Sequence, residues 1–201
     1  MIKVKICGLT RVEDALAACD FGADLIGLNF YEQSPRCVAF AQAWKIRAAI
    51  GTRIKVAGVF VKPAREFVLR MLSELHLDLL QIHGADELLA GWPVPVIRPQ
   101  SLRPEITPID FAPPQGSDLI LIDSYDPALY GGTGRAVPIE HLRKLNLRRC
   151  LVAGGLTPQT VGAVAALGPY GVDVASGVES APGIKDHVKL RSFIENAKSA
   201  G

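Results

Sequence analysis

Apolar and polar residues alternate through Ile2-Lys3-Val4-Lys5-Ile6-Cys7, the period of a β-strand with one face buried. Seven more short apolar runs follow: Asp24–Phe30, Ile54–Phe60, Asp78–His83, Val94–Arg98, Asp118–Asp123, Cys150–Ala153 and Val172–Ala175. Between them lie amphipathic stretches predicted to be helical, at Val12–Phe21, Phe40–Ala49, Ala64–Leu75, Pro138–Leu145, Pro158–Leu167 and His187–Ala200. Local signals set their ends. Thr10 followed by Glu13 predicts a capping box, Gly22 a C-cap, Pro63 and Pro158 first-turn positions, and Thr157 an N-cap. Asp186 reads as an N-cap with His187 in the first turn. Strand–helix alternation with short loops predicts a parallel sheet, and eight strands predict its closure into a (β/α)8 TIM barrel, one α/β domain over residues 1–201. Two stretches interrupt the rhythm. Asp86–Ala90 leaves room only for a short helix. Ser101–Gly116 carries Pro104, Pro108, Pro113 and Pro114, so the fifth helix is expected to be irregular or missing. An open doubly wound sheet is the alternative fold.

Composition narrows the function classes. The 201 residues carry a net charge of +2, with no basic run, which gives no case for nucleic acid or an anionic membrane as partner. No apolar stretch approaches a membrane span, and the first residues read as a lysine-bearing strand rather than a signal peptide. Cys7, Cys19, Cys37 and Cys150 form no Cys-x-x-Cys pair and fit no zinc spacing. Reduced thiols in a cytoplasmic protein, with no metal, are therefore expected.

The candidate chemistry lies at strand ends. Cys7 is placed at the carboxyl end of the first strand and beside a helix start, the edge where parallel α/β folds bind ligands. A helix amino end favours thiolate and burial opposes it, so position alone leaves a nucleophile, a base or a space-filling thiol open. Gly154-Gly155 and Ser176-Gly177 end the seventh and eighth strands, where barrel enzymes often hold phosphate on backbone amides. Asp123 ends the sixth strand after four apolar residues, nearly opposite Cys7 in a closed barrel. The two could flank a substrate as an acid–base pair. Arg36, after the second strand, suits a carboxylate or phosphate. His83 is a rim histidine that contacts substrate or holds a hydrogen bond. Tyr130–Arg135 reads as a mobile glycine-rich loop. Lys5 shares the inward parity of Cys7, and Asp173 lies on the neighbouring eighth strand, so the two are expected to pair; Asp173 alternatively touches substrate.

These segments together resemble the phosphoribosylanthranilate isomerase family of tryptophan biosynthesis. The matches run nearly end to end, through Lys5–Thr10, Ser34-Pro35-Arg36, Leu80–Gly84, Leu121–Asp123, Tyr130–Gly134, Ala153–Pro158, Val172–Glu179, Pro182-Gly183 and Lys185-Asp186. The resemblance implies a barrel lacking a regular fifth helix. It also implies an Amadori rearrangement of N-(5-phosphoribosyl)anthranilate to 1-(2-carboxyphenylamino)-1-deoxyribulose 5-phosphate. Carried over, Asp123 is the general acid, which requires a raised pKa, and Cys7 the general base. Arg36 holds the anthranilate carboxylate, and Gly154, Gly155, Ser176 and Gly177 hold the phosphate. No metal or organic cofactor is implied, and family members are monomers or homodimers, or are fused to a neighbouring pathway enzyme. Departures fall at Cys37, Arg98-Pro99, Val137-Pro138-Ile139, Ala175 and the shortened Asp86–Ala90, none at the acid or base. Rival readings are a sister isomerase of the histidine pathway, which resembles a two-aspartate pattern, a metal-dependent phosphopentose epimerase, and a non-catalytic phosphate-ligand binding protein.

Overall fold

The computed structural model describes residues 1–84, 91–102, 118–124 and 138–201. Eight parallel strands form a closed barrel in sequence order: β1 (Lys3–Cys7), β2 (Leu25–Asn29), β3 (Lys55–Val61), β4 (Leu79–His83), β5 (Val96–Leu102), β6 (Leu119–Ser124), β7 (Cys150–Val152) and β8 (Gly171–Val174). The closed sheet removes the open-sheet alternative. Closure is made by β1, which pairs β2 on one side and β8 on the other, with Lys5 opposite Leu25 and also opposite Asp173. Followed once round through every strand pair, the register returns to β1 eight residues displaced, the stagger of a (β/α)8 barrel.

One parity governs the wall. Odd-numbered strand residues point into the barrel, where Leu25, Ala57, Leu79, Ile97, Leu119, Leu121, Leu151 and Ala153 form the inner apolar layer. Even-numbered ones, such as Val4, Ile26, Val56, Leu80, Ile120 and Val172, point outward into a larger core shared with the helices. This follows from the period of two, because every strand keeps its register to the next. The helices α1 (Val12–Asp20), α2 (Phe40–Ile50), α3 (Arg65–Glu74), α4 (Ile139–Leu142), α5 (Val161–Ala165) and α6 (His187–Ala200) cover the outside. A short antiparallel hairpin, β9 (Glu179–Ala181) with β10 (Ile184–Lys185), follows β8 and was not expected from the sequence. Among the described residues no helix is long and apolar enough to cross a membrane.

Several helix ends differ from expectation. Thr10 does not cap α1, whose N-cap is Arg11 without a side-chain bond. Its hydroxyl instead donates to Gly183 O at 2.6 Å, because the hairpin after β8 folds back over this loop. Pro63 lies just before the N-cap of α3, Ala64. Around Pro158 the chain first makes a turn, so α5 begins at Val161 with Thr160 as N-cap. Thr157 N–H donates to Thr160 Oγ1 at 2.9 Å, the reverse of a Thr157 cap. Asp186 does cap α6, accepting from Val188 N and Lys189 N. Gly22, at φ +89°, follows α1 in the left-handed conformation that a C-cap glycine supplies. The segments 86–90, 103–116 and 130–135, where a short helix, an irregular fifth helix and a mobile loop were expected, lie outside the described residues.

Candidate active site

A cavity of about 520 Å³ opens at the carboxyl ends of the strands. Its lining includes Cys7, Arg36, His83, Asp123, Asp173 and the turns Gly154-Gly155 and Ser176-Gly177, so one chamber gathers the expected acid, base and binding residues; Lys5 is not part of the lining. Their grouping follows from the parity rule: Cys7, His83, Asp123 and Asp173 are odd-numbered and sit at or near the ends of β1, β4, β6 and β8.

Cys7 ends β1 opposite Gly27 of β2. A Cβ at Gly27 would lie 2.9 Å from Cys7 Sγ, so glycine there is what gives the thiol its room. Burial is the largest influence on the thiol and raises its pKa above the ordinary range; Lys5 and, less strongly, Lys185 oppose that rise. Lys5 is fully buried, and its Nζ lies 2.7 Å from Asp173 Oδ1, the expected pair. Burial lowers the Lys5 ammonium, but Asp173 and Cys7 together outweigh it and leave it raised. Asp173 thus spends one oxygen on Lys5 while its residue still borders the cavity.

Arg36 lies half-buried at the rim and is gripped by Glu179, with Nε 2.9 Å from Oε1 and Nη2 2.8 Å from Oε2. This two-point pair fixes the plane of the guanidinium. Gly8, at φ +69°, makes way for it, since a Cβ there would fall 2.5 Å from Arg36 Cδ. Burial pushes the Glu179 carboxyl up, but hydrogen bonding from Arg36 and the charge of Lys185 leave it net lowered. The Lys185 ammonium is fully buried and donates to Cys7 O at 2.7 Å, Ala175 O at 3.1 Å and Glu179 Oε1 at 2.8 Å. Behind it, buried Asp14 of α1 accepts from Lys185 N and pairs with His187 Nε2 at 2.8 Å. Glu179, Lys185 and Asp14 were not read as site residues. Their segments were visible, but their partners lie up to 173 residues away, beyond any local pattern.

His83 ends β4, with Nε2 3.0 Å from Gln81 Nε2. Burial, with the charge of Lys5, lowers its pKa to about 4, so the ring is neutral near pH 7. A neutral ring places an acceptor at Nε2 for the Gln81 amide and its proton on Nδ1. Gln81, inward on the same strand, is a further polar residue of the lining, together with Asn29, Tyr31 and Gln33.

The two rim turns touch. Gly154 and Gly155 have φ +83° and +58°, a conformation that excludes most side chains. A Cβ at Gly177 would fall 1.8 Å from Leu156 O, so glycine is what lets the turn after β8 pack on the turn after β7. The two turns therefore line the cavity as a single backbone surface.

Comparison with known proteins agrees with this geometry. Residues 4–196 match the model of the family N-(5'-phosphoribosyl)anthranilate (PRA) isomerase. The chain is 43% identical over 199 residues to the N-(5'-phosphoribosyl)anthranilate isomerase of Pseudomonas fluorescens, covering 96% of this chain and 97% of that one. It superposes on the crystal structure of the phosphoribosyl anthranilate isomerase of Thermus thermophilus with a TM-score of 0.85 at 36% identity, covering both chains fully. A second solved phosphoribosyl anthranilate isomerase, in complex with reduced 1-(o-carboxyphenylamino)-1-deoxyribulose 5-phosphate, matches with a TM-score of 0.75 at 31% identity, over 99% of this chain and 100% of that one.

Proposed function

Since the chain belongs to the N-(5'-phosphoribosyl)anthranilate isomerase family, an enzyme family of tryptophan biosynthesis, we propose that it carries out the Amadori rearrangement with Cys7 as base and Asp123 as acid. The observation that carries this division of labour is that Cys7 on β1 and Asp123 on β6 face one cavity from nearly opposite walls of a closed barrel.

In this scheme Asp123 protonates the ring oxygen of N-(5'-phosphoribosyl)anthranilate, and the furanose opens to a Schiff base. The Cys7 thiolate then removes the proton from C2, giving an enolamine that tautomerises to the ketone of the product. Arg36, held in plane by Glu179, meets the anthranilate carboxylate. The surface made by Gly154, Gly155, Ser176 and Gly177 holds the phosphate at the other end. Neutral His83 offers its Nδ1–H to a sugar oxygen, and the second oxygen of Asp173 accepts from a sugar hydroxyl. Anchoring both ends of the substrate places C2 between acid and base, the orientation on which rate depends. Ring opening and removal of the C2 proton are thus each the work of a side chain of this chain, acting on a small phosphosugar in the cytoplasm.

The test is steady-state turnover of phosphoribosylanthranilate, followed by loss of anthranilate fluorescence, for wild type, Cys7→Ser and Asp123→Asn. Each folded variant is expected to lose roughly 10²–10⁴-fold in rate. An active wild type with unimpaired variants would discard the assignment of acid and base. A folded wild type that binds product but turns nothing over would make the chain a binding protein.

A further inference from the structure

Two opposite charges are buried in the barrel beneath Cys7, and the scheme above gives Lys5 no part. The Lys5 ammonium lies 2.7 Å from Asp173 Oδ1, and its charge and the Cys7 thiol each shift the other's titration. A Cβ on Gly27 would sit 2.9 Å from Cys7 Sγ and 3.4 Å from Lys5 Nζ, so both atoms converge on the one spot where β2 has no side chain. A buried ion pair is weak evidence for stability, because desolvation offsets the attraction and apolar residues of similar size do as well. A lysine aimed at a sulfur therefore asks for a chemical reason.

We propose that Lys5, held in place by Asp173, is the counter-ion that lets Cys7 exist as a thiolate inside the barrel and so makes it a base. The inference rests on the reading of Cys7 as base. Before proton abstraction the ammonium faces two anions, the thiolate and the carboxylate. At abstraction the C2–H bond breaks and the S–H bond forms. The C–H electron pair moves between C1 and C2, and the iminium nitrogen accepts the pair of its double bond. The positive iminium and the negative thiolate vanish together. Lys5 then retains Asp173 alone, so the ammonium keeps an anionic partner on both sides of the step. Asp173 is in this reading a positioning residue, keeping the ammonium charged when the sulfur is neutral.

Other charges surround the thiol. Lys185 on β10 and Arg36 after β2 lie on its rim side, His83 on β4 faces Lys5, and Asp123 on β6 stands across the cavity. Lys185 is the nearest rival, but its ammonium is already committed to Cys7 O, Ala175 O and Glu179. Lys5 is the stronger of the two in opposing the effect of burial on the thiol.

The test reads Cys7 without turnover, as the pH dependence of its alkylation by iodoacetamide, resolved by peptide mass mapping. Lys5→Met is expected to move the Cys7 midpoint upward by about one pH unit or more, at least tenfold less thiolate at a given pH below it. Lys5→Arg should fall between Met and wild type. The double variant Lys5→Met/Asp173→Leu removes both charges and should show a smaller upward move, because the Asp173 carboxylate that opposes the thiolate is gone as well, so the inference stands testable even if Lys5→Met does not fold. The rising limb of kcat/KM against pH should move with the alkylation midpoint. An unchanged or lowered midpoint in a folded Lys5→Met or double variant overturns the inference. A midpoint that moves while the pH–rate limb stays put supports the ion pair and overturns Cys7 as base.

Discussion

On one side of the barrel, β1, β8 and the β9–β10 hairpin bury Lys5, Asp173, Glu179 and Lys185; on the other, β5, β6 and β7 present Ile97, Leu119, Leu121, Leu151 and Ala153. The two walls hold the proposed base and the proposed acid respectively. A carboxyl that donates a proton is helped by apolar surroundings, whereas a thiol that must lose one needs cations beside it to oppose the effect of burial, as Lys5 and Lys185 do for Cys7. The charged wall is therefore costly by design. It carries groups whose removal is cheap only in matched sets, while the apolar wall loses stability in proportion to what is cut away.

The largest expected effect tests that difference directly. In urea unfolding, Leu151→Ala should cost about 2–5 kcal/mol through the cavity it leaves. Lys5→Met should cost about 3–5 kcal/mol because Asp173 is left buried and unpaired. A second change, Asp173→Leu, should recover most of the latter, whereas no single partner substitution should rescue Leu151→Ala. If the double variant is as unstable as Lys5→Met, the charged wall is held by packing and the contrast fails.

Gly27→Ala sharpens the comparison at the thiol. The added methyl would press on Cys7 Sγ, so kcat should fall on the order of 10²-fold through displacement of the base. Gly177→Ala, which would meet Leu156 O, should instead raise KM by disturbing the turn proposed to hold the phosphate. Steady-state constants for both variants separate the two effects, and equal effects on kcat and KM in both would show that neither glycine serves one end of the substrate.

Stability against pH separates the charged wall from His83 on β4 in two windows. His83 has a folded pKa of about 4, below its ordinary 6.5. The unfolded chain therefore binds more protons between those values, and stability should fall as pH drops from 6.5 toward 4. His83→Gln should flatten that interval. Glu179 is lowered from 4.5, so its contribution is complete above that pH and is lost as pH falls through the depressed folded value. Glu179→Gln should reduce the acid slope below pH 4.5 and leave the His83 window intact. Unfolding midpoints across pH 3–8 would check both. The smallest effect belongs to Lys3→Ala: its half-exposed pair with Asp24 should be worth about 0–1 kcal/mol and leave turnover unchanged.

Strand positions were legible in the sequence because alternation is local, and the inward parity of Lys5, Cys7, Asp123 and Asp173 followed from it. The Lys5–Asp173 pair was legible for the same reason once the barrel was taken to close. Thr10 and Thr157 were misread because a hydroxyl near a helix start can cap or can serve a distant or neighbouring partner, and only the fold decides which. The Arg36–Glu179–Lys185 connection depends on a hairpin of a few residues folding back across the rim, a contact that leaves no periodic trace.

The partners of the charged wall are separated by almost the whole chain: Lys5 from Asp173 by 168 residues, Asp14 from Lys185 by 171 and Thr10 from Gly183 by 173. During synthesis the β3–β6 stretch can assemble from neighbours as it emerges, while Lys5 waits for the last strand to be made. Such contacts are the slow ones in folding. The cysteine is translated long before Asp173 and Lys185, so a partly made chain holds no armed base.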